Sequence, residues 1–426
     1  MKTKASYHQE RLWFIDRFER GTLYPQGPVY HNIPLVWEFH DHVNQEALQQ
    51  SINALIGKHE ALRTVLVWEQ EQLFQIVQEP AAVALEQWHL TEALTREAAI
   101  TLLLEKNELA FQKGIDGLLY KFGLLNLADG KGFLLLTVHH ALCDDTSVNL
   151  LKQDFQELYL SAASGALDMD WEEDILQYTD FAEWQRGTED MLMARDLNYW
   201  KQRLGSSLQP LELPEDRQRE LIHIYHATTI SNQIPSEVKS KVADFCAEHE
   251  LLPQTFYLAV FKLLLAKLSG LREINVGTSM TDRIQDEFTD VVGAFSNLLV
   301  LSDFVQKNAP FADFASQVQQ TWLEAKQHRF IPFDRLVMEL NPRNDMSRTA
   351  LFDVLYRYES RLDEQRVAMT TPEFNLGWGK YDYHLLLLEK RDVIEVLLTY
   401  NDCYFNEDTA SALLDEFCQL CHLSID

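Results

Sequence analysis

Apolar positions along the chain switch repeatedly between short continuous or alternating runs and runs at helical spacing, which predicts a mixed set of strands and helices. Residues 6–18 carry Leu12, Trp13, Ile15 and Phe18 as the inward side of a helix, with Ser6 placed to cap it. Tyr30 to Phe39 reads as a strand, and Asn44 to Lys58 as a helix with Leu48, Ile52, Leu55 and Ile56 on one side. Strands over 65–68 and 72–77, a helix-rich stretch over 91–108 and a strand over 118–127 follow. The run Phe133 to Val138 is continuously apolar, as expected of a strand buried on both faces. It ends in His139 and His140, a short polar turn, and an amphipathic helix from Thr146 with Val148, Leu151, Phe155 and Leu158 inward.

The second half repeats the alternation. Helices are expected over 178–187 and 191–204, then an extended linker over 208–220 that Pro210 and Pro214 keep out of helix. A strand over 223–234 precedes helices over 236–249 and 256–268, the latter very apolar. A strand over 273–278 and a long loop with Asp282, Arg283 and Gly293 lead to a strand over 298–304 and a helix over 311–328. Strands over 352–358, 383–389 and 393–400 and a helix over 407–420 close the chain. The polar, acidic stretch Ser164 to Asp174 is the natural boundary. The expectation is an α/β protein of two lobes, 1–175 and 176–426, with a cleft between them.

Length and composition agree. With 426 residues, 46% hydrophobic and 24% charged, the chain is a globular protein too long for one ordinary core. A net charge of −28 excludes a polyanion such as DNA, RNA or an anionic membrane as the expected partner. No apolar run approaches the ~18 residues of a membrane span, and the N-terminus lacks the apolar core of a signal peptide, so a cytoplasmic protein is expected. The five cysteines (Cys143, Cys246, Cys403, Cys418 and Cys421) are scattered and odd in number, which does not make a disulfide framework. Cys418-Gln-Leu-Cys421-His422 matches a haem-attachment spacing and reads as coincidence, and no second Cys/His pair completes a zinc site, so no metal is expected. Phosphate-binding loops and the GxSxG elbow are absent.

The chemistry concentrates at residues 139–145. Successive strand side chains point to opposite faces, so one of His139 and His140 faces a cleft while the other finds a partner in the scaffold. An imidazole at the end of a buried strand, followed by carboxylates Asp144 and Asp145, is a common mount for general-base chemistry. The same residues also suit a satisfied core histidine pair and a helix N-cap. Cys143 would share one short turn with its base, a poor place for a nucleophile.

Several segments share one pattern: SYHQERLWFI (6–15), KHEALRTVL (58–66), TVHHALCDDTS (137–147), YTDFAEWQ (178–185), YWKQRLGSSLQPLELPEDR (199–217), VVGAFSNLLVL (291–301), HRFIPFDRLV (328–337) and RNDMSRTALFDV (343–354). In this order they resemble the motifs of the condensation domains of non-ribosomal peptide synthetases, in the chloramphenicol-acetyltransferase-like superfamily, over nearly the whole chain. The resemblance implies a pseudo-dimer of two acetyltransferase-like lobes with a tunnel between them. A donor carrier protein would present an acyl or peptidyl thioester on its 4′-phosphopantetheine arm, and an acceptor amine, carrier-bound or free, would meet it at His140. The chain itself would bind no cofactor and act as a monomer. His139, His140 and Asp144 fall on the His-His-x-x-x-Asp-Gly motif. By the same resemblance Asp144 pairs with Arg283 of the second lobe, His139 belongs to the scaffold, and Arg63, Trp184, Asn297 and Asp382 shape the cleft.

Asp145 departs from the motif, which has glycine there. Aspartate tolerates left-handed backbone and serves as an N-cap at the positive end of a helix. Its charge could raise the pKa of His140 or attract a cationic amine, and loss of activity is the other outcome. Two further readings stand beside the first. Leu376-Gly377-Trp378-Gly379-Lys380 resembles the tail of a motif of plant coenzyme-A-dependent acyltransferases, without its leading Asp-Phe. A catalytically silent carrier-docking domain is the second. Because the chain opens five residues before the first motif and has no adenylation segment, the expectation is a free-standing enzyme or a domain of an assembly line.

Overall fold

The computed structural model describes residues 2–21, 28–89, 95–127, 130–168, 175–205, 208–283, 286–340, 345–360, 369–370, 372 and 374–425. Residues 91–94 of the helix-rich stretch, 169–174 of the expected boundary and 343–344 of the last motif lie outside them. The first half contains β1 (Lys2–Lys4), α1 (Tyr7–Glu19), β2 (Asn32–Phe39), α2 (Gln45–Lys58), β3 (Thr64–Glu69), β4 (Gln72–Val77), β5 (Leu85–His89), α3 (Arg96–Glu108), β6 (Tyr120–Asn126), β7 (Gly132–His139), α4 (Asp145–Ala163) and α5 (Tyr178–Gly187). The second contains α6 (Glu189–Leu204), β8 (Thr228–Ile234), α7 (Ser236–Glu248), α8 (Pro253–Ser269), β9 (Glu273–Thr281), β10 (Ser296–Phe304), α9 (Phe311–Gln327), α10 (Phe333–Leu340), β11 (Val354–Ser360), β12 (Met369–Thr370), β13 (Tyr383–Glu389), β14 (Ile394–Tyr400) and α11 (Glu407–Leu423).

Contacts divide the chain into two compact units, and the division is not a single cut. One unit is Met1–Glu189 with Thr281–Ser296 and Gln365–Phe374; the other holds the rest. The boundary expected between residues 175 and 176 would detach α5 from the first unit, where Tyr178 and Phe181 are core residues. Composition marks the polar stretch, but burial of the next helix decides the unit. Arg283, expected from the second lobe, likewise packs with the first unit.

In the first unit a five-stranded sheet runs β12-β2-β7-β6-β5, and a small sheet runs β1-β4-β3. β7 lies between antiparallel neighbours β2 and β6, with His139 opposite Asn32. All eight of its residues are buried, as the continuous apolar run predicts. α1 opens with a reciprocal cap: Gln9 N–H donates to Ser6 Oγ at 3.1 Å, and Ser6 N–H donates to Gln9 Oε1 at 3.0 Å. Its inner face differs from expectation. Leu12 and Trp13 are buried, but Phe18 is 63% exposed, and His8, Gln9, Asp16 and Glu19 fill the remaining buried positions. Leu12 and Trp13 join the apolar core, and a polar network receives the rest of that side of the helix.

The second unit carries a six-stranded sheet, β10-β9-β11-β13-β14-β8, packed with α7, α8, α9 and α11. α8 is buried nearly all round, which explains its apolar sequence. One charge sits inside it. Lys262 is fully buried and pairs with the equally buried Asp303, while also donating to the Leu301 carbonyl at 2.8 Å. Thr321 Oγ1 and Gln317 Nε2 donate to the other Asp303 oxygen at 2.6 and 3.3 Å. Cys421 is a core residue of α11 and Cys418 lies against the same core, so the haem-like spacing is a packing pattern. Among the described residues no single helix is long and apolar enough to cross a membrane.

Breaking the buried pair on one side strands a charge, whereas removing both partners does not. Lys262→Met is expected to lower unfolding free energy by about 3–5 kcal/mol in urea titration, and Lys262→Met/Asp303→Leu to recover most of it. Equal losses in the single and double variants would contradict this.

Candidate active site

The strand–turn–helix from β7 to α4 holds His140 by a set of short local bonds. β7 ends at His139. His140 N–H donates to the His31 carbonyl at 2.8 Å, and Ala141 N–H donates to His139 Nδ1 at 3.1 Å. Leu142 N–H closes the turn on the His139 carbonyl at 2.9 Å. The His140 ring lies 2.8 Å, through Nδ1, from the Cys143 carbonyl. A carbonyl only accepts, so Nδ1 carries the hydrogen and Nε2 is left with its lone pair. His139 is fully buried and His140, one residue past the strand end, is half-buried; both rings pack edge-on against that of His31.

Asp144 anchors the far end of the turn. It is fully buried and is the N-cap of α4, accepting from Ser147 N–H at 2.9 Å and Ser147 Oγ at 2.7 Å. Arg283 donates to both its oxygens, from Nη1 at 2.7 Å and Nη2 at 3.0 Å. Phe295 N–H and Ser296 Oγ add bonds at 3.2 and 3.3 Å. A two-pronged guanidinium with four further donors is what a buried carboxylate needs. Arg283 is fixed in turn by the Val291 carbonyl at 2.9 Å and by the face of Phe295, 4.1 Å away. Next to it, His8 and Asp282 form a buried pair at 2.8 Å that ties α1 to the same segment. Gly293 lies where a Cβ would collide with the Tyr178 ring, so only glycine lets this segment approach.

Asp145 is the first residue of α4, exposed and in ordinary helical backbone, so aspartate in the motif's glycine position carries no left-handed strain. The cap expected of Asp145 is made by its neighbour. Burial pushes the His140 pKa down, and the negative charge of Asp145 opposes that shift, with Arg11 acting in the other direction. Burial and the two neighbouring carboxylates push the Cys143 thiol well up, which removes it as a nucleophile.

A family profile described as "Condensation domain" matches residues 2–425. The chain belongs to the condensation-domain family. It is 29% identical over 417 residues to phosphinothricin tripeptide synthetase PhsC of Streptomyces viridochromogenes, covering 96% of this chain and 38% of PhsC. The chain therefore spans well under half the length of that relative. Among solved structures it resembles the X-domain in its complex with OxyB from teicoplanin biosynthesis (TM-score 0.85, 21% identity, 100% of this chain and 93% of that one). It also resembles the condensation domain of the monacolin K polyketide synthase MokA (TM-score 0.82, 18% identity, 99% and 97%). The fold is the chloramphenicol-acetyltransferase-like α/β fold of this family.

The remaining candidates of this condensation domain are structural in their surroundings. Asn297 uses its whole amide on backbone: Nδ2 donates to the Arg329 and Ile331 carbonyls, both at 2.8 Å, and Oδ1 accepts from Leu298 and Phe333 N–H at 3.0 and 3.1 Å. Arg63 donates to the Gln78 carbonyl at 2.7 Å, and Trp184 lies partly buried against Phe181 on α5. Asp382 is buried in the second unit and gripped by Arg219 at 3.0 and 2.6 Å. Asp144 and Asp145 both act electrostatically on His140, and Arg283 grips Asp144.

Sequence reasoning missed Ser147, His31, Asp16 and the His8–Asp282 pair. Ser147 had a signal, three residues after a cap residue; the others join segments far apart in sequence. Asp16, His31 and His139 place three ligand-type atoms within 4.8 Å of one another, a donor set that zinc accepts. The wiring disagrees with a cation: His139 Nδ1 takes the Ala141 N–H, so its Nε2 keeps a hydrogen, and Arg20 already grips Asp16.

Asp145→Asn removes a charge that favours the imidazolium of His140, so the His140 pKa falls further. The acid limb of the rate–pH profile is expected to move to lower pH; a limb that stays or moves up would contradict the assignment.

Proposed function

We propose that this chain joins an acyl or peptidyl group, held as a thioester on the 4′-phosphopantetheine arm of a donor carrier protein, to an acceptor amine. The acceptor is an aminoacyl group on a second carrier or a small free amine. The observation that carries the reading is the state of His140: Nδ1–H is committed to the Cys143 carbonyl, Nε2 keeps its lone pair, and burial favours the neutral ring. The amine nitrogen attacks the thioester carbonyl, a C–N bond forms and the C–S bond breaks. His140 positions the amine and accepts its proton at Nε2, and the leaving thiolate takes a proton back. Exchange of a thioester for an amide runs downhill, so holding two long substrates end to end supplies much of the rate.

A second reading has two observations of its own. Asp145 stands where the motif has glycine, and the fold likeness includes an X-domain solved with OxyB, so a domain that docks carriers or recruits a partner without chemistry is the competitor.

The test is intact-mass analysis of acyl-loaded carrier with aminoacyl carriers and free amines. Wild type is expected to form product, and His140→Ala to lose at least ~10²-fold in rate. Transfer from acyl-coenzyme A with none from the carrier would overturn the reading in favour of a coenzyme-A acyltransferase. Retention of carrier without product from any acceptor would favour the docking domain.

A further inference from the structure

His139 is more than buried filler, because its ring closes the turn on which His140 sits. The Ala141 N–H, one residue past His140, donates to His139 Nδ1 at 3.1 Å. This bond requires a lone pair on Nδ1, so the ring hydrogen resides on Nε2. Nε2 lies 3.5 Å from Asp16 Oδ2, near but not aligned for a hydrogen bond, so the contact is electrostatic, and both residues are shut off from solvent. Arg20 holds the Asp16 carboxylate from one turn further along, Nε to Oδ1 at 3.0 Å and Nη2 to Oδ2 at 3.2 Å, and is itself anchored to the Gln112 carbonyl at 3.1 Å. The rings of His31 and Phe111 pack edge-on against His139 at centroid distances of 5.3 and 5.8 Å.

We infer that Asp16 is a positioning residue: its carboxylate holds His139 in the Nε2–H tautomer, and that tautomer fixes the backbone turn that aims His140. The other neutral tautomer would set Nδ1–H against the Ala141 N–H, donor facing donor, and the turn would open. The negative charge of the Asp16 carboxylate, 3.5 Å away, favours the tautomer that carries a hydrogen on the nearer nitrogen, and the low-polarity surroundings strengthen the preference. Arg20 neutralises the charge that makes this selection and keeps the carboxylate from rotating. The α1 face that reads poorly as an apolar stripe is explained by this task.

The role of His140 in the test rests on the condensation reading; the tautomer does not. Protein labelled with ¹⁵N-histidine reports ring protonation directly, with the His139 signal assigned by its loss in His139→Gln. Asp16→Asn keeps the shape and removes the charge, so folding is expected to survive. Wild type should show Nε2–H with a bare Nδ1, and Asp16→Asn a shift towards Nδ1–H. Asp16→Asn should lose about tenfold in kcat with KM within about twofold, because the base is misaimed rather than the substrate lost. Asp16→Glu should regain part of kcat. An Nδ1–H tautomer in wild type, an unshifted tautomer in Asp16→Asn, or a shifted tautomer with unchanged kcat would each overturn the inference. Wild type without condensation activity but with the Nε2–H tautomer and its shift would sink the condensation reading and leave the tautomer lock standing.

Discussion

The Asp144 carboxylate is the fixed point of the first unit. It has no exposed surface, and an ion in that position costs several kcal/mol unless its lone pairs are filled. They are filled by the guanidinium of Arg283, the amide and hydroxyl of Ser147, the amide of Phe295 and the hydroxyl of Ser296. One side chain thereby caps α4, satisfies its own charge from within the protein, and binds a segment from the second half of the chain to the first. Arg283 supplies the counter-charge, so its removal without a replacement cation would leave a buried charge uncompensated.

His140 inherits its geometry from that point. The turn it rides is pinned at the strand end by the His31 carbonyl and the His139 ring, and at the helix end by Asp144. Between the pins, the Cys143 carbonyl sets which nitrogen is basic. Burial, the largest influence, lowers its proton affinity, and the exposed carboxylate of Asp145 is the strongest influence opposing it. The substitution of aspartate for glycine at this place thus acts through charge, since the backbone there is ordinary helix.

What the sequence makes legible follows the range of the forces. The strand Phe133 to Val138, the turn and the helix after it are local, and their apolar spacing displays them. Choosing between Asp144 and Asp145 as the cap needs backbone angles that adjacent aspartates do not reveal. Apolar spacing, the usual signal, assigns the inner face of α1 to Leu12, Trp13, Ile15 and Phe18, yet Asp16 and His8 face inward to meet His139 and Asp282. Those partners are distant in sequence, and no periodicity encodes them. Arg283 is legible only through resemblance, and the unit it joins is set by packing that composition cannot show. Asn297 and Asp382 match motif positions, but their polar groups are spent on backbone and on Arg219.

The most direct measurement is the single-turnover rate of amide formation from acyl-loaded carrier in wild type and Arg283→Lys. Lysine keeps the positive charge beside Asp144 but not the two-pronged grip that fixes the turn. If the clamp aims His140, the rate falls by about a hundredfold while the protein remains folded. A rate equal to that of wild type would contradict it.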